Sequence, residues 1–159
     1  MSIDTTEKCV SIPQWYELSK QGIVLPISIT LDGDSMRPLV RRKLDKVTIV
    51  PLSRPLIRGD VVLFEHPAGR YVVHRIYRLK GDTVQTLGDN CMNPDSVMPL
   101  SCVLGQITCA ERNNHTIPLD TAVSRAFGRV WMACLPMRRL WRKSKALAVR
   151  ILRKMKLRK

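Results

Sequence analysis

The chain has 159 residues, 45% hydrophobic and 25% charged. That is one domain's worth of sequence, able to bury a core without disulfide or metal staples, and its composition excludes wholesale disorder and fibrous repeats. The net charge of +14 is lopsided: residues 1–120 hold 14 Lys/Arg against 13 Asp/Glu, whereas residues 121–159 hold 13 Lys/Arg and no acid, which points to an anionic partner for the tail.

In chain order, residues 1–22 read as a polar lead and a short helix over Pro13-Gln-Trp-Tyr-Glu-Leu-Ser-Lys-Gln-Gly22, with Pro13 in its first turn and Gly22 at its stop. The N-terminus lacks the basic-then-apolar order of a secretory signal, and no stretch reaches the about 20 apolar residues that span a bilayer. An integral membrane protein and an exported one are both disfavoured; a cytoplasmic one is expected. From Ile23 the period changes. Ile27, Ile29 and Leu31 alternate with Ser28, Thr30 and Asp32, the pattern of a half-buried strand, and Asp32-Gly33-Asp34 ends it. Further strands are predicted over Lys46–Val50, Asp60–Phe64, Arg70–Leu79, Thr83–Leu87 and Val103–Ala110, with Gly- and Asp-rich turns between most of them. Short strands with no long helix among them predict an all-β body over 23–120. Residues 121–135 and 138–157 are helix-like, with Pro136 as a break or kink. In the second segment Leu140, Leu147, Ile151 and Met155 recur at helical spacing, Trp141, Ala148 and Leu152 widen the stripe, and basic residues fill the rest. Residues 121–159 thus form a basic amphipathic tail.

Three segments carry candidate chemistry. In Gly33-Asp34-Ser35-Met36-Arg37-Pro38 a serine sits just past a strand end. A sharp turn of this kind can project a hydroxyl and aim free backbone N–H groups at an oxyanion, although Ser after Gly-Asp is ordinarily a turn or cap residue. In Tyr71-Val-Val-His-Arg-Ile-Tyr77, alternation puts Val72, His74 and Ile76 on one apolar face. A lone His there is commonly a hydrogen-bonded core residue, yet a partly buried imidazole stays neutral at pH 7, the state a general base needs. In Gly88-Asp-Asn-Cys-Met-Asn-Pro-Asp95 two acids share a loop after a strand. They fit either an Asx-rich turn or a carboxylate that holds a histidine tautomer and stabilises the imidazolium. Cys9, Cys91, Cys102, Cys109 and Cys134 contain no CxxC pair, and His66, His74 and His115 are scattered, so no zinc pattern emerges and no metal or cofactor is expected. The cysteines read as reduced thiols, with a reactive Cys91 as the competing thought.

Taken together, GDSMRP, RGDVVLF, YVVHRI and LGDN with a trailing Asp resemble the S24/S26 serine peptidase superfamily, the signal peptidases and LexA-type self-cleaving repressors, over residues 25–110. The resemblance implies the antiparallel β fold of that group. Many members use a lysine base; Val73-His74-Arg75 resembles instead the histidine-type (ER and sporulation-type) signal peptidases, which also carry a GDN acid and a second acid soon after. By this resemblance Ser35 is the nucleophile and His74 the general base. Asp95 is the better candidate for orienting His74, and Asp89 a supporting or alternative acid. The substrate is implied to bind extended, as an added strand, with small side chains near the cut. Activity is expected to rise as His74 deprotonates, around the imidazole reference value of about 6.5.

Some features depart from that pattern. Many members carry an oxyanion-binding Ser two residues before the nucleophile; here the position is Gly33. Asp34 adds a negative charge beside the nucleophile, and Met36 and Pro38 complete the turn expected to line the substrate or oxyanion region. Nothing resembles the usual N-terminal membrane anchor. Residues 130–159, with an apolar patch from Val130 to Met137 ahead of 11 Lys/Arg in 138–159, could instead lie on an anionic bilayer surface. Packing on the body is the second alternative, and nucleic-acid binding the least favoured. The reading is a mainly β serine endopeptidase, in the cytoplasm or on the inner membrane face, that cuts leader or signal segments from precursor polypeptides. The alternatives are a LexA-type self-cleaving regulatory domain and a non-catalytic leader-peptide-binding relative.

Overall fold

The computed structural model describes residues 10–156, without the side chains of 146–149 and 151–156. Cys9, the polar lead over 1–9 and the tail-stripe side chains Leu147, Ala148, Ile151, Leu152 and Met155 lie outside the described residues. The architecture is mainly β: eight antiparallel strands form one curled sheet, accompanied by three α-helices.

Helix α1 (Ile12–Lys20) starts as its sequence dictates. The Ser11 hydroxyl accepts from Gln14 N, the Gln14 side chain reaches back to Ser11 N, and Pro13 occupies the first turn, where its missing N–H costs nothing. Gly22, at φ 86°, follows the end of the helix. Trp15 leaves α1 to pack on Gly105, where even a methyl would sit 2.7 Å from the indole, and its Nε1 donates to Leu25 O at 2.7 Å.

The strands are β1 (Ile27–Thr30), β2 (Lys46–Val50), β3 (Val61–His66), β4 (Arg70–Lys80), β5 (Thr83–Leu87), β6 (Met98–Pro99), β7 (Val103–Arg112) and β8 (His115–Pro118). Their order is β1-β2-β7-β3-β4-β5-β6, with β8 on β7. Strand β3 lies between β7 and β4 and is buried on both faces, so Val61-Val-Leu-Phe64 reads as a continuous apolar run. Val61 and Leu63 enter a core with Trp15, Met36 and Ile49; Val62 and Phe64 enter a second with Ile76 and Val103. A bulge between Ile76 and Arg78 resets the period of β4, keeping Leu79 against the same core as Ile76.

The loop of residues 31–45, which carries Ser35, is tied to the sheet by Asp45. Its fully buried carboxylate accepts from Arg41 Nε (3.0 Å) and Nη2 (2.9 Å) and from Arg112 Nη2 of β7 (2.7 Å). Burial pushes the Asp45 carboxyl up, but the Arg112 and Arg41 hydrogen bonds outweigh it and hold the group well below the usual carboxylate range. A lowered folded pKa gives stability that is present above the unfolded value of about 3.9 and lost as pH falls through the folded one. Asp45→Asn is therefore expected to cost about 1.5–3 kcal/mol in urea unfolding at pH 7. The gap to wild type should narrow progressively below about pH 4 as the folded carboxylate nears its own titration.

Helices α2 (Ala122–Ala133) and α3 (Leu135–Lys156) follow β8. The break expected at Pro136 falls at Cys134, and Pro136 itself sits in the first turn of α3. Thr121 caps α2 through Ser124 N. Gly128 lets α2 close on Arg75: a methyl there would stand 2.5 Å from Arg75 Cδ. No helix among the described residues is long and apolar enough to cross a membrane.

Candidate active site

His74 is contributed by the middle of β4, opposite Val62 of β3 and 6.0 Å from the Phe64 ring. As alternation predicts, it shares its face with Val72 and Ile76, beside the second core, and it is 6% exposed. Its Nδ1 donates to Asp95 Oδ2 at 2.7 Å. That bond selects the tautomer with a proton on Nδ1 and leaves Nε2 as an acceptor, with no hydrogen-bond partner among the described residues.

Asp95 is pinned to β5 at three points. Its N–H donates to Thr86 O (2.9 Å), its carbonyl accepts from Gln85 Nε2 (3.0 Å), and its Oδ2 accepts from Thr86 Oγ1 (2.6 Å). Burial raises the Asp95 carboxyl, but the hydrogen bond and charge of His74, with the Thr86 hydroxyl, bring it net below the ordinary value. Thr86 is fully buried. The one sequence signal for it is a polar residue two places from Val84 on the core-facing side of β5.

Asp89 does not join this pair. Its carboxylate takes a bidentate fork from Arg75, Nε to Oδ1 and Nη2 to Oδ2 at 3.0 Å each, with both side chains at most 1% exposed. The alternation of β4 sends Arg75 to the face opposite His74, and Asp89 follows it. Of the two acids proposed for the imidazole, only Asp95 touches it; Asp89 supports the loop from the other side of the sheet.

Ser35 stands half-buried in the turn after β1. Asn90 holds this turn from the acidic loop: its N–H donates to Ser35 O (2.7 Å) and its Nδ2 to Asp34 O (3.1 Å). Gly88 makes the approach feasible. A methyl there would come within 2.8 Å of Ser35 O and 2.9 Å of His74 Nε2, so the serine turn and the open imidazole nitrogen flank a space smaller than one methyl group. Ser35 Oγ and His74 are not hydrogen-bonded to each other among the described residues. The Ser35 N–H also has no hydrogen-bond partner among them.

The neighbours of Ser35 divide. Met36 is fully buried in the first core and anchors the turn. Asp34 is drawn outward to Arg37, 3.6 Å away, which offsets its charge. Pro38 is exposed, and Gly33 has open space where a Cβ would be. Cys91 lies beside Gly88, and burial together with the Asp95 charge pushes its thiol up, away from the thiolate that nucleophilic attack needs. Cys91, Cys102, Cys109 and Cys134 are free thiols. No group of three or more metal-ligating side chains occurs among the described residues.

The tail packs against the same loop. Trp131 Nε1 (2.6 Å) and Arg138 Nη2 donate to Asp89 O; Arg139 Nε donates to Met92 O (2.7 Å) and Arg142 Nη2 to Asn90 Oδ1 (3.0 Å). Packing of this segment on the body is one of the sequence alternatives; its particular partners are not readable there, because backbone acceptors leave no trace in composition or charge. No protein-family model matches the chain, and no curated protein matches it.

Proposed function

We propose that the protein is a serine endopeptidase of the S24/S26 superfamily, of the histidine type, which cuts a leader or signal segment from a precursor polypeptide. The observation that carries the reading is the His74–Asp95 hydrogen bond of 2.7 Å, with Nε2 left open beside the Ser35 turn across Gly88. A serine hydroxyl needs such a base to attack at neutral pH.

In the proposed reaction the Ser35 Oγ adds to the scissile carbonyl as His74 Nε2 takes its proton. Asp95 stabilises the imidazolium so formed. The oxyanion meets the unpartnered Ser35 N–H. His74 then protonates the departing amine, and the C–N bond breaks. Water repeats the cycle on the acyl-enzyme, giving its proton to His74 and releasing the new carboxylate and Ser35. The Oγ–Nε2 hydrogen bond closes when substrate enters; catalytic bonds are often long in empty sites. Strand β1 pairs on one side with β2 and runs straight into the serine turn. Its other edge is therefore the natural template for an extended substrate.

The test is co-expression with candidate precursors, comparing wild type with Ser35→Ala by mass spectrometry. Cleavage that persists in Ser35→Ala would sink the mechanism. Failure of a serine-reactive phosphonate to label wild type would favour a leader-binding protein without chemistry, and cleavage of its own chain a self-processing regulator.

Gly33 offers a further check. The space at its Cβ is open and its backbone is not in the left-handed region. Gly33→Ser should therefore leave thermal stability unchanged and add a hydroxyl near the developing oxyanion. A full oxyanion donor is worth about 10²–10³ in kcat, so about a tenfold rise is expected from an imperfectly aligned one. An unaltered kcat would mean that the oxyanion lies elsewhere.

The membrane reading also has a surface. Phe127 and Val130 of α2 and Met137 and Leu140 of α3 are exposed apolar side chains on a highly basic segment. On this proposal the enzyme works at the cytoplasmic face of the inner membrane. Co-sedimentation with anionic vesicles should be lost in Val130→Asp/Leu140→Asp, and equal sedimentation of both proteins would remove the membrane from the account.

A further inference from the structure

Beside the serine turn lies a groove of about 600 Å³, walled on one side by Asp34, Arg37 and Pro38 and on the other by the tail helices. Its base includes Asn90 and Met92 of the acidic loop. Four cations line it, Arg37, Arg138, Arg142 and Lys145, against the single carboxylate of Asp34, which already sits 3.6 Å from Arg37.

The other three have no carboxylate partner among the described residues. Arg142 donates to the neutral Asn90 amide. Lys145 lies over the Trp141 ring at 4.1 Å and Arg138 over the Trp131 ring at 4.3 Å. Arg138 Nη2 is used on Asp89 O, but its Nη1 is buried with no partner among the described residues, and burial pulls the Arg138 guanidinium below its usual range. Arg37, Arg142 and Lys145 are exposed, and a carboxylate is the partner that suits such cations best. Trp131, Trp141 and Met92 line the same space. The complement of this groove carries negative charge and apolar side chains together.

Its position names the occupant. The groove shares Asp34, Arg37 and Pro38 with the turn that holds Ser35, so a polypeptide seated at Ser35 would pass beside it. We propose that the groove binds an acidic, apolar-interrupted stretch of the precursor flanking the scissile bond, so that the tail helices select substrates by carboxylates. This rests on the peptidase reading and adds the substrate class to it. A lipid headgroup offers similar negative charge, but residues of the serine turn form one wall of the groove, and the apolar side chains offered to a bilayer, such as Val130 and Leu140, are not among its lining residues.

The test separates binding from cleavage by using Ser35→Ala protein in lipid-free buffer. The probe is a fluorescein-labelled peptide alternating Glu with Leu and Phe, against its Gln counterpart, read by anisotropy. The Glu peptide is expected to bind about tenfold more tightly than the Gln peptide, to weaken steeply between low and moderate salt, and to lose its advantage in Lys145→Glu, an exposed position whose change spares the fold. Equal affinity for the two peptides, or an advantage untouched by Lys145→Glu, overturns the proposal. So does tight binding to anionic vesicles, sensitive to Lys145→Glu, by a protein that ignores both peptides. A precursor that wild type cleaves equally well with or without acidic flanks defeats the groove while the peptidase reading stands. Selective binding of the Glu peptide by a protein that cleaves nothing supports the groove and defeats the peptidase.

Discussion

Asp95→Asn is expected to lower kcat for precursor cleavage by about 10³–10⁴-fold with little change in KM, and to cost some stability at neutral pH because the carboxyl is held below its ordinary value in the folded protein. The amide keeps the size of the side chain and can still accept from Thr86 Oγ1. What it loses is the negative charge facing His74 Nδ1, and with it the preference for the tautomer whose Nε2 is open and the support for the imidazolium. His74→Ala should fall further, by about 10⁶-fold, to the level of Ser35→Ala, because the members of such a relay fail as a unit. The pH dependence adds a second readout. The Asp95 carboxyl is held below its ordinary value, so it stays ionised across neutral pH. Wild type should therefore show one rising limb, owed to His74, that disappears in His74→Ala. A residual activity in His74→Ala that retains the same limb would assign the base to another group.

Asp89→Asn should behave in the opposite way, as a folding lesion first. Removing one partner of a fully buried ion pair leaves the other charge uncompensated, which costs about 3–5 kcal/mol. Arg75 has few alternatives: its Nη1 already donates to Gly59 O (2.7 Å), and Gly128 of α2 seals it from above. Urea unfolding should show a large drop in midpoint with the slope unchanged. Arg75→Met/Asp89→Leu, which deletes both charges, should recover much of the loss. If Asp89→Asn instead matches wild-type stability while abolishing turnover, Asp89 is the acid of the relay after all. The contrast between the two aspartates is thus the sharpest single comparison available for this site.

Both aspartates were visible in the sequence, and neither composition nor spacing could assign them. The deciding fact is the register of β4 on β5. Arg75 lies opposite Leu87 and Ile76 opposite Thr86, so the loop leaves β5 on the Arg75 side and delivers Asp89 there. It then doubles back along Thr86, through the Asp95 N–H, and brings Asp95 to the histidine face. The burial of Arg75, which decides that one acid is already taken, is not readable in the sequence.

The strands that were legible carry either alternation or a long apolar run. Strand β6 has two residues and no period to read. Strand β8 depends on Asn113 and Asn114, both with positive φ (48° and 61°), a tight hairpin written with two asparagines in place of the more telling Asn-Gly. The tail was legible as a charged amphipathic segment, but not as a brace. Arginine bonds to carbonyl oxygens look, in a sequence, the same as arginines in water.

That brace has a temporal consequence. The hydroxyl-bearing turn is held by Asn90, and Asn90 is gripped in turn by Arg142, a residue translated more than fifty positions later. The sheet can form on the nascent chain as soon as β8 has emerged, but the loop that sets the cluster acquires its last supports only after α3 leaves the ribosome. The order of synthesis therefore makes the serine turn one of the last parts of the fold to be fixed.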